Sequence, residues 1–147
     1  MANPFPIRFQ KGNNDCGLAC MMMLAEYFRL PVSSSDILQK SHVSARGMSV
    51  YDFCSTAEQI GLKVSPVRSR KDELESISLP AIAFWNGNHF IAVYRVSTRY
   101  VWVADPAIGK VRYRKDEFQQ SWYLPGEQAG VLLVMEPKTL VKRDKSI

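Results

Sequence analysis

The chain has few of the residues that proteins use most often for metal or redox chemistry. It contains three cysteines and two histidines among 147 residues, and these are scattered rather than grouped at metal-ligand spacing. We therefore expect no metal site and no cofactor. A small, odd number of cysteines also argues against a disulfide framework and fits a reducing compartment such as the cytosol.

Long apolar segments are absent from the sequence as well. No window reaches the roughly eighteen apolar residues of a membrane span, and the residues up to Arg8 lack the apolar core of a signal peptide. We therefore expect a chain that is not itself inserted into a membrane.

The excess of positive charge is small. Nineteen basic and fourteen acidic residues give a net charge of +5, and much of the excess lies in segments 68–71, 112–115 and 142–145. These segments are interpreted as solvated surface and a polar tail. No dense basic patch accompanies a nucleic-acid-binding motif, so no nucleic-acid partner is expected.

The first half of the chain predicts helices. Residues 16–29 are apolar nearly all round, which is typical of a buried helix, with Asp15 or Asn14 as its cap and Pro31 beyond its end. Ser33 resembles the start of a second short helix that ends near Lys40, and residues 49–60 predict a third helix that stops at Gly61.

The second half predicts mainly strands. The strands are expected at 62–67, 80–85, 89–95, 100–105, 110–114 and 131–135, with short helices at 71–77 and 116–122. Helices followed by antiparallel strands indicate an α+β fold in which the N-terminal helical half packs on a C-terminal antiparallel sheet. We expect one domain over residues 1–137 and a polar tail or linker over residues 138–147.

A hairpin between the third and fourth strands predicts a contact between a histidine and a carboxylate. If residues 96–98 close the hairpin, His89 lies directly opposite Asp105, close enough for a hydrogen bond. The loop lacks the glycine that a three-residue turn favours, and a register shift of one residue would send the two side chains to opposite faces.

The candidate nucleophile is a cysteine at a helix start. Cys16 has the position in which a helix N-terminus stabilises a thiolate, and His89, oriented by Asp105, would act as its base and acid. Gly17 would leave room for a peptide backbone, and Gln10 is a candidate donor to an oxyanion.

Plainer interpretations of these residues remain open. A lone cysteine is usually a small buried hydrophobe, and Cys20 and Cys54 are interpreted as core residues of that kind. His89 could be a structural residue and Asp105 a turn residue before Pro106.

The segment Gln10-x4-Asp15-Cys16-Gly17-x-Ala19-Cys20 resembles the signature of the bacteriocin-processing, double-glycine cysteine peptidases. The resemblance continues through segments 47–49, 57–61, 79–85, 89–90 and 105–106, and so spans about residues 6–137. It implies a papain-like fold with Cys16 as nucleophile, His89 as general base and acid, Asp105 as orienting group and Gln10 in the oxyanion hole.

The resemblance also implies a substrate and partners. It implies cleavage of a leader peptide after a Gly-Gly pair, in a narrow cleft beside Gly17 and a bulky residue such as Trp85, although Trp85 also fits core packing. The expected partners are the leader of a secreted precursor and the transmembrane and ATP-binding parts of an ABC transporter. The expected location is the cytoplasmic face of the cell membrane. The alternatives are a non-cleaving leader-recruitment module and another papain-like hydrolase or acyltransferase.

Overall fold

The structure is a computed structural model that describes residues 4–41 and 47–138. The predicted tail 138–147 therefore lies outside the described residues, except for Lys138. His42, the second histidine of the chain, also lies outside them.

Three helices form the N-terminal half, as the sequence predicts. They are α1 (Cys16–Phe28), α2 (Ser34–Lys40) and α3 (Val50–Gln59). The Ser33 and Ser49 hydroxyl groups cap α2 and α3 by accepting hydrogen bonds from the third residue beyond, at 3.1 and 3.0 Å. Helix α1 ends where Arg29 adopts a left-handed conformation with φ of 54°, two residues before Pro31.

The C-terminal half is one six-stranded antiparallel sheet. Its strands are β1 (Leu62–Ser69), β2 (Ala81–Trp85), β3 (His89–Val96), β4 (Tyr100–Asp105), β5 (Gly109–Arg114) and β6 (Gly130–Pro137), in the spatial order β1-β6-β2-β3-β4-β5. The short helix predicted at 71–77 is a 3-10 helix (Lys71–Ser76), and α4 (Lys115–Trp122) follows β5.

The sheet separates two hydrophobic clusters. Helices α1, α2 and α3 cover one face through residues such as Met21, Ile37 and Phe53, whereas Phe118 and Trp122 of α4 cover the other face. This arrangement confirms the predicted α+β class and the packing of a helical half on an antiparallel sheet.

The register of the β3–β4 hairpin corrects the prediction. Val93 pairs with Val103, and continuing this register places Asp105 opposite Ile91 rather than opposite His89. The difference is two residues, which equals the side-chain period of a strand, so His89 and Asp105 stay on the same face and meet diagonally. The direct pairing of His89 with Asp105 was therefore wrong, although the contact between their side chains exists.

A bulge and a serine turn explain the shift in register. The pairing slips between Val93 and Arg95, which leaves Tyr94 as an extra residue of β3. In the turn, the Ser97 Oγ accepts a hydrogen bond from the Tyr100 N–H at 3.1 Å, and the Ser97 N–H donates to the Tyr100 carbonyl at 2.9 Å. These two bonds stabilise a turn that has no glycine, whereas the prediction treated the missing glycine as a weakness.

The close packing of Trp122 on Gly130 predicts that a larger residue at this position lowers stability. A Cβ atom at this position would lie 2.6 Å from Nε1 of Trp122 and closer still to the ring carbons, and Trp122 is buried and donates to the Val131 carbonyl at 3.0 Å. Because the ring cannot move without losing that bond, we expect Gly130→Ala to lower the free energy of unfolding by about 1–3 kcal/mol in urea denaturation.

Gly12→Ala is the matched control, because Gly12 is exposed and its added Cβ would make only an ordinary contact, 3.7 Å from the Asp15 carboxylate. We expect it to change stability by no more than about 0.5 kcal/mol. Equal effects of the two substitutions would contradict the packing explanation.

Candidate active site

The first residue of α1 is Cys16, which is buried with 5% of its surface exposed. Asp15 occupies the cap position, but its side chain makes no capping bond to the helix, contrary to the sequence expectation. Its carboxylate instead accepts hydrogen bonds from the Lys11 and Gly12 N–H groups, both at 2.9 Å. The N–H groups of the first turn of α1 are therefore left uncapped by Asp15, beside the Cys16 thiol.

The imidazole of His89 meets a buried carboxylate. Nε2 of His89 donates to Oδ1 of Asp105 at 2.7 Å, with the two side chains 18% and 6% exposed. The same Oδ1 also accepts from the Ala107 N–H at 2.9 Å, which fixes the carboxylate in the turn that follows β4. Since Nε2 is occupied by Asp105, the other ring nitrogen, Nδ1, is left for the Cys16 thiol.

The pKa of His89 is set by opposing effects. Burial lowers it, whereas hydrogen bonds with Asp105 and with the Cys16 thiol, and the charges on both groups, raise it to about 9. At neutral pH the ring is therefore an imidazolium that contacts both a carboxylate and a thiol. A group of this kind can stabilise a thiolate and donate a proton to a leaving amine.

Gln10 lies on a loop fastened to the Asp105 turn. Its backbone N–H donates to the Pro106 carbonyl at 2.9 Å, and its side-chain Nε2 donates to the Gly12 carbonyl at 2.7 Å. Its Oε1 is buried without a hydrogen-bond partner. The amide keeps a second N–H, so a role for Gln10 as an oxyanion donor stays a prediction.

Gly17 packs against protein atoms rather than open space. A Cβ atom at Gly17 would lie 3.0 Å from Sδ of Met48 and 3.5 Å from Phe90. Met48 is buried, and it follows Gly47, whose φ of +92° is unfavourable for residues with a side chain. The space that the sequence assigned to a substrate is therefore occupied by Met48, and a contact of Gly17 with substrate stays a prediction.

Trp85 lies beside His89 in the sheet but is buried, with 5% of its surface exposed. Its ring packs on Phe118 and Tyr113, with centroids 5.0 and 5.5 Å apart. This packing accounts for Trp85 as a core residue, and its participation in a substrate cleft stays a prediction.

The other two thiols are placed differently from Cys16. Cys20 is fully buried one turn further along α1, and its Sγ donates to the Phe90 carbonyl at 3.3 Å, which ties α1 to the residue after His89. Burial is the main cause of its strongly raised pKa, with the charges of Cys16 and Asp105 adding to it. Cys54 is half-buried on α3, and burial and Glu58 raise its pKa. A raised pKa keeps a thiol protonated and a poor nucleophile.

Three contributors to the site were not singled out from the sequence. Met48 covers the start of α1, Pro106 holds the Gln10 loop through its carbonyl, and Ala107 holds the Asp105 carboxylate through its N–H. Two of these contacts use backbone atoms, which a side-chain pattern does not reveal. In the sequence, Met48 and Pro106 entered only as members of the segments 47–49 and 105–106 of the family resemblance, and Ala107 had no signal.

Cys16, His89 and Asp105 together form an arrangement suited to nucleophilic acyl transfer by a thiol. The ring of His89 joins the thiol on one side to the carboxylate on the other, and uncapped N–H groups lie at the helix start. No group of acidic, cysteine and histidine side chains within residues 4–41 and 47–138 could hold a metal ion.

Comparison with sequence families identifies one match over nearly the whole chain. The model of the Peptidase C39 family matches residues 4–139. Among curated proteins, the chain is 31% identical over 143 residues to the lactococcin-G-processing and transport ATP-binding protein LagD of Lactococcus lactis, covering 92% of the chain and 19% of that protein. It is 33% identical over 122 residues to the colicin V secretion/processing ATP-binding protein CvaB of Escherichia coli, covering 82% and 17%.

A shorter relative is the probable functional amyloid protease FapD of Pseudomonas aeruginosa, at 29% identity, with 92% of the chain and 68% of that protein covered. The chain thus spans about a fifth of the length of the first curated relatives that it matches.

Solved structures share the fold. A double glycine motif protease from an AMS/PCAT transporter, in complex with the leader peptide, superposes with a TM-score of 0.80 at 26% identity, covering 90% of this chain and 91% of that one. The peptidase domain of Streptococcus ComA gives a TM-score of 0.79 at 18% identity, with 91% and 99% covered, and supports the fold alone.

The raised pKa of His89 predicts how stability depends on pH. The folded state favours the protonated ring, so protonation of His89 stabilises the fold. This stabilisation is fully present below the ordinary pKa of 6.5 and is lost as the pH rises through about 9. We expect the free energy of unfolding of the wild type to fall, relative to that of His89→Gln, between these two pH values. Urea denaturation at several pH values measures this difference, and a difference that stays constant across the window would contradict the assigned pKa.

Proposed function

Because the chain belongs to the Peptidase C39 family, we propose that it is a thiol endopeptidase domain that cleaves a leader peptide directly after a Gly-Gly pair. The observation that carries this proposal is the imidazole of His89, which contacts Asp105 at 2.7 Å and whose pKa is raised by Asp105 and by Cys16, the first residue of α1. The family match confirms the resemblance stated from the sequence, and with it the class of cysteine peptidases.

In the proposed first step, the Cys16 thiolate attacks the carbonyl carbon of the second glycine while His89 is an imidazolium. A tetrahedral oxyanion forms and then collapses, and the bond from carbon to the amide nitrogen breaks. His89 gives its proton to the departing nitrogen, so the cargo leaves with a free amino terminus. The leader remains attached to Cys16 as a thioester.

In the second step, the now neutral His89 accepts a proton from water as the oxygen attacks the thioester carbon. The Cys16 thiolate leaves, His89 is again an imidazolium, and the leader departs with a terminal glycine carboxylate. Asp105 keeps Nε2 occupied throughout, so that Nδ1 faces the reacting groups.

The oxyanion is proposed to accept hydrogen bonds at the start of α1. The backbone N–H of Cys16 lies there, uncapped by Asp15, and the second N–H of the Gln10 amide is the other candidate donor. The bond between the Gln10 N–H and the Pro106 carbonyl supports this role, because it fixes the loop that holds the amide.

Specificity for glycine is proposed to arise from limited access to the thiol. Cys16 is only 5% exposed, and Met48 covers the adjacent turn of α1 at Gly17. A substrate residue without a side chain approaches such a thiol more easily than a larger one. One solved structure of the same fold is a double glycine motif protease in complex with the leader peptide, and it supports the same substrate class.

The similar curated proteins suggest which partners this domain has and where in the cell it works. LagD and CvaB are transport or secretion ATP-binding proteins, and the matched region is a fifth or less of each. We propose that this domain works beside the transmembrane and ATP-binding parts of such a transporter, at the cytoplasmic face of the membrane. Among the described residues, no helix has the length and apolar character needed to cross a membrane. The division into a domain (residues 1–137) and a tail stays a prediction.

Cleavage of a synthetic peptide tests the proposal. The peptide carries an amphipathic leader that ends in Gly-Gly and a short cargo, and mass spectrometry locates the cut. We expect cleavage after the second glycine, and we expect Cys16→Ala to lower kcat/KM by at least about 10³-fold because the nucleophile is lost.

Cys54→Ala is the matched control, since Cys54 lies on α3 and has no contact with the proposed catalytic residues among those described, and it should keep activity. Leader binding by the wild type without turnover would favour the non-cleaving recruitment module instead. Equal cleavage of a peptide with large residues in place of both glycines would favour another papain-like hydrolase.

The oxyanion role of Gln10 makes a separate prediction. Removing one donor should act on the transition state, so we expect Gln10→Ala to lower kcat by about 10²–10³-fold with little change in KM. Lys11→Ala, an exposed neighbour on the same loop, serves as control and should leave both constants nearly unchanged. A rise in KM with kcat unchanged would assign Gln10 to substrate binding.

A further inference from the structure

The net charge of the chain is concentrated in one part of the sheet. Residues 89–115, which run from the start of β3 to the first residue of α4, contain six basic residues and one acidic residue, so this segment alone carries +5. The whole chain has 19 basic and 14 acidic residues, which leaves 13 of each outside the segment.

Strand pairing brings these cations to one face together with aromatic rings. Arg95 and Arg112 both pair with Trp102, and Arg114 pairs with Tyr100, and paired residues of adjacent strands face the same side. We call this surface the cationic face; it comprises Tyr94, Arg95, Tyr100, Trp102, Lys110, Arg112 and Arg114. Its four cationic side chains are exposed, and its three rings are half-buried.

Each ring of the cationic face is covered by a cation. The Arg95 guanidinium carbon lies 4.2 Å from the Trp102 ring centre, that of Arg112 lies 4.2 Å from the Tyr100 ring centre, and the Lys110 ammonium lies 5.3 Å from the Tyr94 ring centre. These contacts hold the arginine and lysine side chains against the sheet. Because the side chains are already ordered, less conformational entropy is lost when an anion binds them.

The charges of this face are not neutralised by neighbouring carboxylates. Elsewhere, Arg8, Arg68, Lys71, Lys115 and Lys138 form ion pairs. Within residues 4–41 and 47–138, no carboxylate lies within ion-pair distance of the four cations of the cationic face. The one acidic residue of the segment, Asp105, is buried and bonded to His89. The face therefore carries a net positive charge, although Arg114 at its end lines a pocket with Asp72, Glu75 and Asp116.

We propose that the cationic face docks on an anionic lipid surface. Three of its four charges lie at alternate residues of β5, about 7 Å apart, and the fourth, Arg95, lies on β3, two strand spacings or about 10 Å away across the rings of β4, so the charges form an area rather than a line. An extended acidic peptide would contact one row of such an area, whereas a layer of headgroups contacts all of it. Arginine, tryptophan and tyrosine are also the side chains that suit the headgroup level of a bilayer.

A single-stranded nucleic acid fits this face less well. Proteins that bind single strands stack bases on free aromatic rings. Here a cation already covers each of the three rings.

The lipid-docking proposal involves none of the proposed catalytic residues, so it can fail while the peptidase function stands.

Co-sedimentation with vesicles tests the proposal. The 147-residue chain is mixed with vesicles of phosphatidylcholine alone, or of phosphatidylcholine with an equal amount of phosphatidylglycerol, over a series of salt concentrations. We expect binding only to the anionic vesicles, and we expect it to weaken as salt screens the charges. The double substitution Arg95→Glu with Arg112→Glu should reduce partitioning by at least about tenfold.

The matched control is Lys63→Glu with Arg68→Glu, which reverses two exposed charges on β1, at the opposite edge of the sheet. It should bind anionic vesicles nearly as the wild type does. Both double variants should fold and keep the leader cleavage of the wild type, and the control should lose little stability because the ion pair of Arg68 with Glu127 is exposed. If the first variant does not fold, Arg95→Gln with Arg112→Gln should give a smaller loss in the same direction.

Three results would overturn the proposal. One is no preference for anionic over neutral vesicles. Another is an equal loss of binding in the two double variants, which would indicate net charge rather than this face. The third is tighter binding of poly-glutamate or of a single-stranded oligonucleotide than of anionic vesicles at the same salt concentration.

Discussion

The hydrogen bond between His89 Nε2 and Asp105 Oδ1, at 2.7 Å, is the interaction on which the proposed chemistry depends. It occupies one nitrogen of the ring and so directs the other to the Cys16 thiol. Together with that thiol it raises the pKa of His89 to about 9 against the effect of burial. Without Asp105, burial would favour a neutral ring, which could not hold the proton that the leaving amine needs.

The rest of the structure holds this interaction in place. The Ala107 N–H fixes the Asp105 carboxylate, and the Pro106 carbonyl fixes the Gln10 loop. On the other side, the bond between the Cys20 thiol and the Phe90 carbonyl ties α1 to β3 next to His89. The start of α1, the start of β3 and the end of β4 are thus connected by short hydrogen bonds, which keeps the three side chains in reach of one another.

Local patterns in the sequence predicted the helices and strands well, but they predicted long-range geometry, such as strand register, less well. Serine caps and apolar periodicity located α2 and α3, because their causes lie within a few residues. The register of the β3–β4 hairpin was wrong, because the Tyr94 bulge and the Ser97 turn leave no simple sequence pattern. The two-residue shift nevertheless preserved the contact of His89 with Asp105, since a strand repeats its faces every second residue.

The environment of the candidate site was predictable only in part. Cys16, His89 and Asp105 were named from their residue types and positions, and the structure brings them together. Asp15 or Asn14 was expected to cap α1; Asp15 occupies the cap position, but its carboxylate binds the preceding loop instead. Met48 fills the space at Gly17, a contact between residues 31 positions apart that no local pattern reveals.

The most direct test of this account is an NMR titration of the His89 imidazole in the wild type and in Asp105→Asn. The account predicts a pKa of about 9 for His89 in the wild type and a clearly lower value in the variant, in which the carboxylate charge is absent. A His89 ring that titrates near its ordinary value of 6.5 in both proteins would contradict the claim that Asp105 and Cys16 hold it as an imidazolium.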